Sequence, residues 1–283
     1  MKKLILISTA VIAICFTSCD KVTNPIVNTS TAPAPTTNTD VRKVLIEDYT
    51  GQKCGNCPPA AAQAEALINQ YPGKVIAIAV HSGDFAKIFP PTFPTSYTTQ
   101  AGVDWNGASG FNISNGLGNP NGMINRKDYG SGLVKKETAW STYTGLALSD
   151  AYILKLSLTP SYNALTRILN TTIKAKFKTS YASNTVITLV ITEDSIIGPQ
   201  KDYTKNPDVI TNYVFMNMLR GDINGSWGTI LKNAPIVAND SISTSFNNFS
   251  VNSTFNDKQL YLVGFVSDAT TREVLQVEKV KIR

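Results

Sequence analysis

Histidine is almost missing from this chain. His81 is the only one among 283 residues, which removes most routes to a catalytic base or a metal site. A Ser/His/Asp triad would have to use it, and no Gly-x-Ser-x-Gly elbow is present, which argues against a hydrolase of that kind. Cysteine is nearly as scarce, with only Cys15, Cys19, Cys54 and Cys57. The net charge of +6 comes without any Lys/Arg cluster, so it reads as solubility, with no nucleic-acid partner. No apolar run is long enough to span a bilayer comfortably, the run from Leu4 to Phe16 being 13 residues. What remains is an ordinary globular composition, 42% hydrophobic and 16% charged, with enough chain for two domains.

The N-terminus reads as a secretory signal. Lys2 and Lys3 precede the short apolar run, and Thr17-Ser18-Cys19 ends it. Ser18-Cys19 resembles a bacterial lipobox, which implies a signal peptide over residues 1–18 and Cys19 as the lipid attachment site, holding the chain to a membrane. Loss of Lys2 and Lys3 lowers the charge from +6 to +4. The segment from Asp20 to Asp40 is dominated by Thr, Asn, Pro and Ala and cannot bury a core. Residues 19–40 are therefore read as lipid anchor and flexible linker, about 25 Å long on average as a coil.

With Cys15 removed and Cys19 lipidated, Cys54 and Cys57 are the remaining thiols, and an exported chain with such a pair reads as deliberate. Val44 to Ile46 makes a buried strand, Thr50-Gly51 breaks it, and an alanine-rich helical run follows Pro58 and Pro59. This layout sets a thiol at a helix N-terminus, where free N–H groups and the helix dipole favour thiolate. Tyr71-Pro72-Gly73 stops the helix, and Lys74 to His81 reads as a central strand completing a βαβ crossover. Asp84 to Gly118 is a long insertion with a short helix near Tyr97–Ala101. Pro120 sits in a Gly/Asn turn before a short strand, Leu133 to Lys136 pairs back on it, and Glu137 to Leu148 is an amphipathic helix.

Cys-x-x-Cys on a βα corner, a central strand, an isolated proline before a hairpin and a closing helix resemble the thioredoxin fold. The resemblance implies a cis Pro120 against the cysteine pair. With the lipobox and Asn119-Pro-Asn-Gly122, the chain resembles the Omp28-related outer membrane lipoproteins of Bacteroidetes-type bacteria. That implies an outer membrane location, on its periplasmic or cell-surface side. Lys53 stands where thioredoxin-type reductases usually carry Trp, and Gly55-Asn56 fills the space between the cysteines.

The pair supports three readings. In thiol–disulfide exchange on exported proteins with cysteines, Cys54 attacks, Cys57 resolves the mixed disulfide and Pro120 shapes the peptide groove. A persistent structural disulfide would make the chain a non-catalytic surface or binding lipoprotein on a thioredoxin-like scaffold. A zinc half-site would find only His81 as a further N/S donor. No cofactor is expected. His81 itself is either a proton-transfer group at a strand end or a plain strand-terminal residue.

From Tyr152 onward the pattern turns to strands, with Leu154, Leu156 and Leu158 alternating with polar residues. Further candidates are Arg167–Lys178, Thr185–Thr192, Val209–Leu219, Gly228–Lys232, Ser241–Val251, Gln259–Val266 and Glu273–Ile282. Asn212–Gly228 reads as one strand plus a turn. The expected architecture is α/β plus all-β: a thioredoxin-like domain over residues 41–149 and an immunoglobulin-like β-sandwich over residues 150–283. Asp194-Ser-Ile196 and Asp240-Ser-Ile242 resemble the acceptor tripeptide of Bacteroides-type O-glycosylation.

Overall fold

A computed structural model describes residues 40–113 and 118–283. The expected signal peptide, the expected lipid attachment site at Cys19 and most of the expected linker lie outside the described residues. In chain order the strands and helices are β1 (Val44–Thr50), α1 (Cys57–Gln70), β2 (Val75–His81), α2 (Gln100–Asn106), β3 (Asn121–Ile124), β4 (Val134–Lys135) and α3 (Trp140–Ser149). Ten strands follow: β5 (Leu154–Asn163), β6 (Ile168–Phe177), β7 (Thr185–Glu193), β8 (Ile196–Lys201), β9 (Val209–Phe215), β10 (Met218–Asp222), β11 (Thr229–Lys232), β12 (Ser241–Ser250), β13 (Leu260–Asp268) and β14 (Val274–Lys281).

β1 and β2 pair in parallel, β3 runs antiparallel to β1, and β4 antiparallel to β3. Both faces of β1 and β2 are covered, which explains their near-continuous apolar sequence. On one face Val44, Ile46, Val75 and Ala77 pack against α1 and α3, with Ala60, Ala64, Leu67 and Trp140. The buried positions of α1 (Cys57, Ala60, Ala64 and Leu67) fall at helical spacing. On the other face Leu45, Tyr49, Ile78 and Val80 meet Ala101 and Trp105 of α2. The side chain of Thr99 caps α2, accepting the Gly102 N–H at 3.1 Å.

The sequence places a boundary at 149/150, but one sheet runs across it. The strand order is β14-β13-β7-β10-β2-β1-β3-β4, with β11 on β7, nine strands in all. β10 joins the halves by pairing in parallel with β2 through Met218 and Ala79. A three-stranded sheet, β12-β6-β5, lies against the C-terminal strands of the large one. Leu154, Leu156 and Ile173 from the small sheet share a core with Leu189, Leu262 and Leu275 from the large one. The described residues fall within one compact unit. The observed class is a mixed α/β fold dominated by strands.

Two details depart from the sequence reading. Val209 to Leu219 is not one strand. Asn217 adopts φ 55°, in the left-handed region that Asn tolerates better than most residues. The chain therefore leaves a two-stranded β8–β9 ribbon and enters the large sheet as β10. β8 itself carries Gly198 and Pro199, residues depleted in strands, which hid it from a propensity reading.

Candidate functional site at the cysteine pair

Cys54 and Cys57 form a disulfide, with Cα atoms 5.4 Å apart. Cys54 lies in the turn after β1, its N–H donating to the Gly51 carbonyl at 2.9 Å, and Cys57 opens α1. Pro58 and Pro59 bring no N–H to the first turn, and the Cys57 N–H is already given to the Cys54 carbonyl at 3.2 Å. Donors for a thiolate are thus fewer here than at an ordinary helix start, and the dipole carries more of that task.

Both cysteines are only 2% exposed. Two segments cover them. The turn after β2 closes one side, where the Lys53 N–H donates to the Phe85 carbonyl at 3.0 Å. The β8–β9 ribbon closes the other. Gln200 donates its side-chain amide to the Cys54 carbonyl at 3.0 Å, and the Lys201 N–H donates to the Gln52 carbonyl at 2.8 Å. The Tyr203 N–H donates to the Gly55 carbonyl at 2.9 Å, and the Tyr203 ring lies where a Cβ on residue 55 would stand, 2.6 Å away. Only glycine fits there.

Pro120 follows a cis bond from Asn119. It precedes Asn121, which pairs with Tyr49 near the end of β1. The register sets Pro120 at the sheet end from which the Cys-x-x-Cys turn departs. His81 ends β2 in the same region, 3% exposed and edge-on to the rings of Tyr97 and Phe215 at 5.4 Å each. Burial, and then repulsion from Arg220, push its pKa down to about 3, so the ring is neutral at pH 7.

The residue that sequence reasoning missed is Asp48. It is 2% exposed, shares a small cavity with Cys57 and His81, and its Oδ1 has no hydrogen-bond partner. Burial first, and the charge of Glu137 second, raise its pKa to about 8. Its neighbour Glu47 points to the opposite face, where both oxygens meet Arg126 at 2.7 and 2.8 Å. The signal was present in the sequence, because two consecutive acids inside an apolar strand must face opposite sides and each then needs a partner or a role.

Comparison with known proteins assigns the family. The family model described as outer membrane protein Omp28 matches residues 111–283, more than half of the chain. The chain belongs to the Omp28 family. The outer membrane is accordingly its location, and among the described residues no helix is long and apolar enough to cross a membrane. The Omp28 match begins beyond the cysteine pair and includes Pro120, the ribbon that covers the disulfide, and β10. A crystal structure of a protein from Agrobacterium tumefaciens is similar in fold, with a TM-score of 0.50 at 9% identity. The likeness covers 86% of this chain and 96% of that one, so it spans both sides of position 149. No curated protein sequence matches the chain.

Proposed function

We propose that this Omp28 protein is held to the outer membrane by a lipid on Cys19 and carries out thiol–disulfide exchange on exported proteins through Cys54 and Cys57. The segment β1-α1-β2 with β3, β4 and α3 is read as a thioredoxin-like unit, and the two packed sheets of the C-terminal part as its immunoglobulin-like extension. The observation that carries the activity is Asp48, an unpartnered buried carboxyl beside Cys57. Folding keeps such a group at a cost of several kcal/mol when ionised, which a structural disulfide alone does not explain.

In the reduced protein the Cys54 thiolate attacks one sulfur of a partner disulfide, and the partner's other sulfur leaves and takes up a proton. Asp48, titrating at about 8, is matched to a thiol of ordinary pKa near 8.5. In the fraction that is ionised at neutral pH it accepts the Cys57 proton as Cys57 attacks Cys54, which closes the pair and releases the partner's second sulfur as a thiolate that then takes up that proton. The pair is oxidised by two electrons and the partner is reduced by two.

A second reading has its own support. Both cysteines are buried, and Gln200 and Tyr203 hold the turn that carries them, which favours a structural disulfide in a non-catalytic binding lipoprotein. One experiment separates the two. The reduction potential of the pair is measured in the purified protein, and Cys57→Ser is used to trap partners from envelope extracts. A potential within the glutathione range with trapped mixed disulfides supports exchange. A potential below about −300 mV with nothing trapped leaves the binding reading.

A further inference from the structure

The alanine-rich run of α1 does more than favour a helix. Ala61, Ala62 and Ala64 face Ala77 and Ala79 of β2 across a gap. Five methyl-sized side chains leave the helix and the sheet incompletely packed, where cores normally close to near-crystalline density. Tyr213, Val214 and Met216 of β9 and its following turn form the outer wall. The result is a slot of about 270 Å³. A cavity of about 150 Å³ lined by apolar side chains is enough to hold benzene, so this one has room for a molecule of roughly eight to ten non-hydrogen atoms.

Its polar side chains are few. Asp48 lies on the floor, and Glu65 and Asn217 lie at the rim. Glu65 accepts from the Asn217 amide at 2.6 Å, and the Asn217 oxygen accepts from Lys279 at 2.7 Å, so the rim is satisfied. The floor is not: the Asp48 carboxyl makes no hydrogen bond, and with Oδ1 sealed from solvent it is the other oxygen that an occupant of the slot would meet. No Lys or Arg lines the slot, and both charged residues that do are acids. An anion would meet repulsion and desolvation together. A neutral molecule with one accepting oxygen would instead take a hydrogen bond from the protonated carboxyl and bury its apolar part against the alanines.

We infer that the slot between α1, β2 and the end of β9 binds a small neutral apolar molecule carrying one carbonyl or hydroxyl oxygen, with Asp48 as its polar anchor. The site exists with the disulfide closed and does not depend on thiol exchange. The narrower cavity of about 30 Å³ beside Cys57 shares Asp48, Pro58, Ala61, Ala79, Tyr213 and Met216 with it, so the occupant would lie next to the resolving sulfur.

The test uses the full-length protein in lipid nanodiscs, so that no detergent competes, with alanine methyl groups isotopically labelled. The probes are 2-octanone, octanoate and n-octane at pH 7. Saturable shifts of the Ala61 and Ala79 methyl signals are expected with 2-octanone, with octanoate at least about tenfold weaker because an anion is excluded from an acid-lined apolar site. The Asp48→Ala variant should bind 2-octanone and n-octane alike. Ala79→Leu should fill the slot and abolish the shifts. If that variant does not fold, Ala62→Leu, on the exposed side of the slot and compatible with a helix, should weaken binding in its place. Absence of saturable shifts, equal binding of octanoate, or binding untouched by the filling substitution would overturn the inference.

Discussion

Gln200 reaches from the β8–β9 ribbon to the backbone of Cys54, donating its side-chain amide to the Cys54 carbonyl at 3.0 Å. The same amide lies 2.8 Å from its neighbour's carbonyl at Lys201. A segment from the C-terminal half thereby fastens the turn that holds the disulfide. Opening this contact is the simplest route by which a partner could reach either sulfur.

Gln200→Ala removes, among the bonds of that amide, the buried one to the Cys54 carbonyl, worth about 1 kcal/mol, which should raise the open population about fivefold. Reduction of the disulfide by dithiothreitol, followed by thiol labelling, should accelerate by that factor, and further with Tyr203→Ala. Unchanged rates in the double variant would mean that the ribbon does not limit access.

Asp48 and His81 make opposing contributions to the pH dependence of stability. Asp48 titrates at about 8 when folded and near 3.8 when unfolded. From pH 4 to 8 the folded chain therefore keeps a proton the unfolded chain has released, and stability falls as pH rises. His81 works in the opposite sense, at about 3 when folded and near 6.5 when unfolded, so its contribution is lost as pH falls through that window. The slopes oppose each other between about 4 and 6.5. Above 6.5 His81 no longer offsets Asp48, whose contribution should fall by roughly 2 kcal/mol by pH 8. Urea titrations between about pH 6.5 and 8 should show the fall in the native chain and a much flatter profile in Asp48→Asn.

The Glu47–Arg126 pair is fully enclosed, with the guanidinium also within 4.9 Å of the Trp105, Phe111 and Phe265 ring centres. Removing one member leaves a buried charge without its counterpart. Glu47→Gln should cost about 3–5 kcal/mol, whereas Glu47→Gln with Arg126→Met should recover much of the loss. Equilibrium unfolding of the two variants checks this. A double variant no better than the single one would show that the guanidinium stack, and not the ion pair, dominates.

Local patterns in the sequence were enough for β1, α1, β2, α3 and most later strands, because each has a clean period and clear stops. Tyr71-Pro72-Gly73 ends α1 as its chemistry dictates, and the alternation of Leu154, Leu156 and Leu158 returns as the inner face of β5. Long-range partners were not legible. Nothing local says that Met218 pairs beside Ala79, or that a ribbon containing Gly198 and Pro199 closes over a turn some 150 residues earlier. Asp48 was hidden for a related reason. The two adjacent acids mark the position in the sequence, but only the assembled layers show that Glu47 is paired and Asp48 is not.

The switch at Asn217 offers a test of that long-range assembly. Its N–H donates to Asp194 at 2.7 Å, and its side chain joins Glu65 to Lys279. The backbone sits at φ 55°, which costs a β-branched residue about 1–2 kcal/mol. Asn217→Gly keeps the turn but loses two hydrogen bonds to charged partners, an expected loss of about 1.5–3 kcal/mol for each at most. Asn217→Val loses the same bonds and also strains the backbone, so it should be less stable than the glycine variant by a further 1–2 kcal/mol or so. Chemical denaturation of the pair isolates the backbone cost. Equal stabilities would show that Asn217 is held by its side chain alone, and that the break between β9 and β10 does not depend on a left-handed residue.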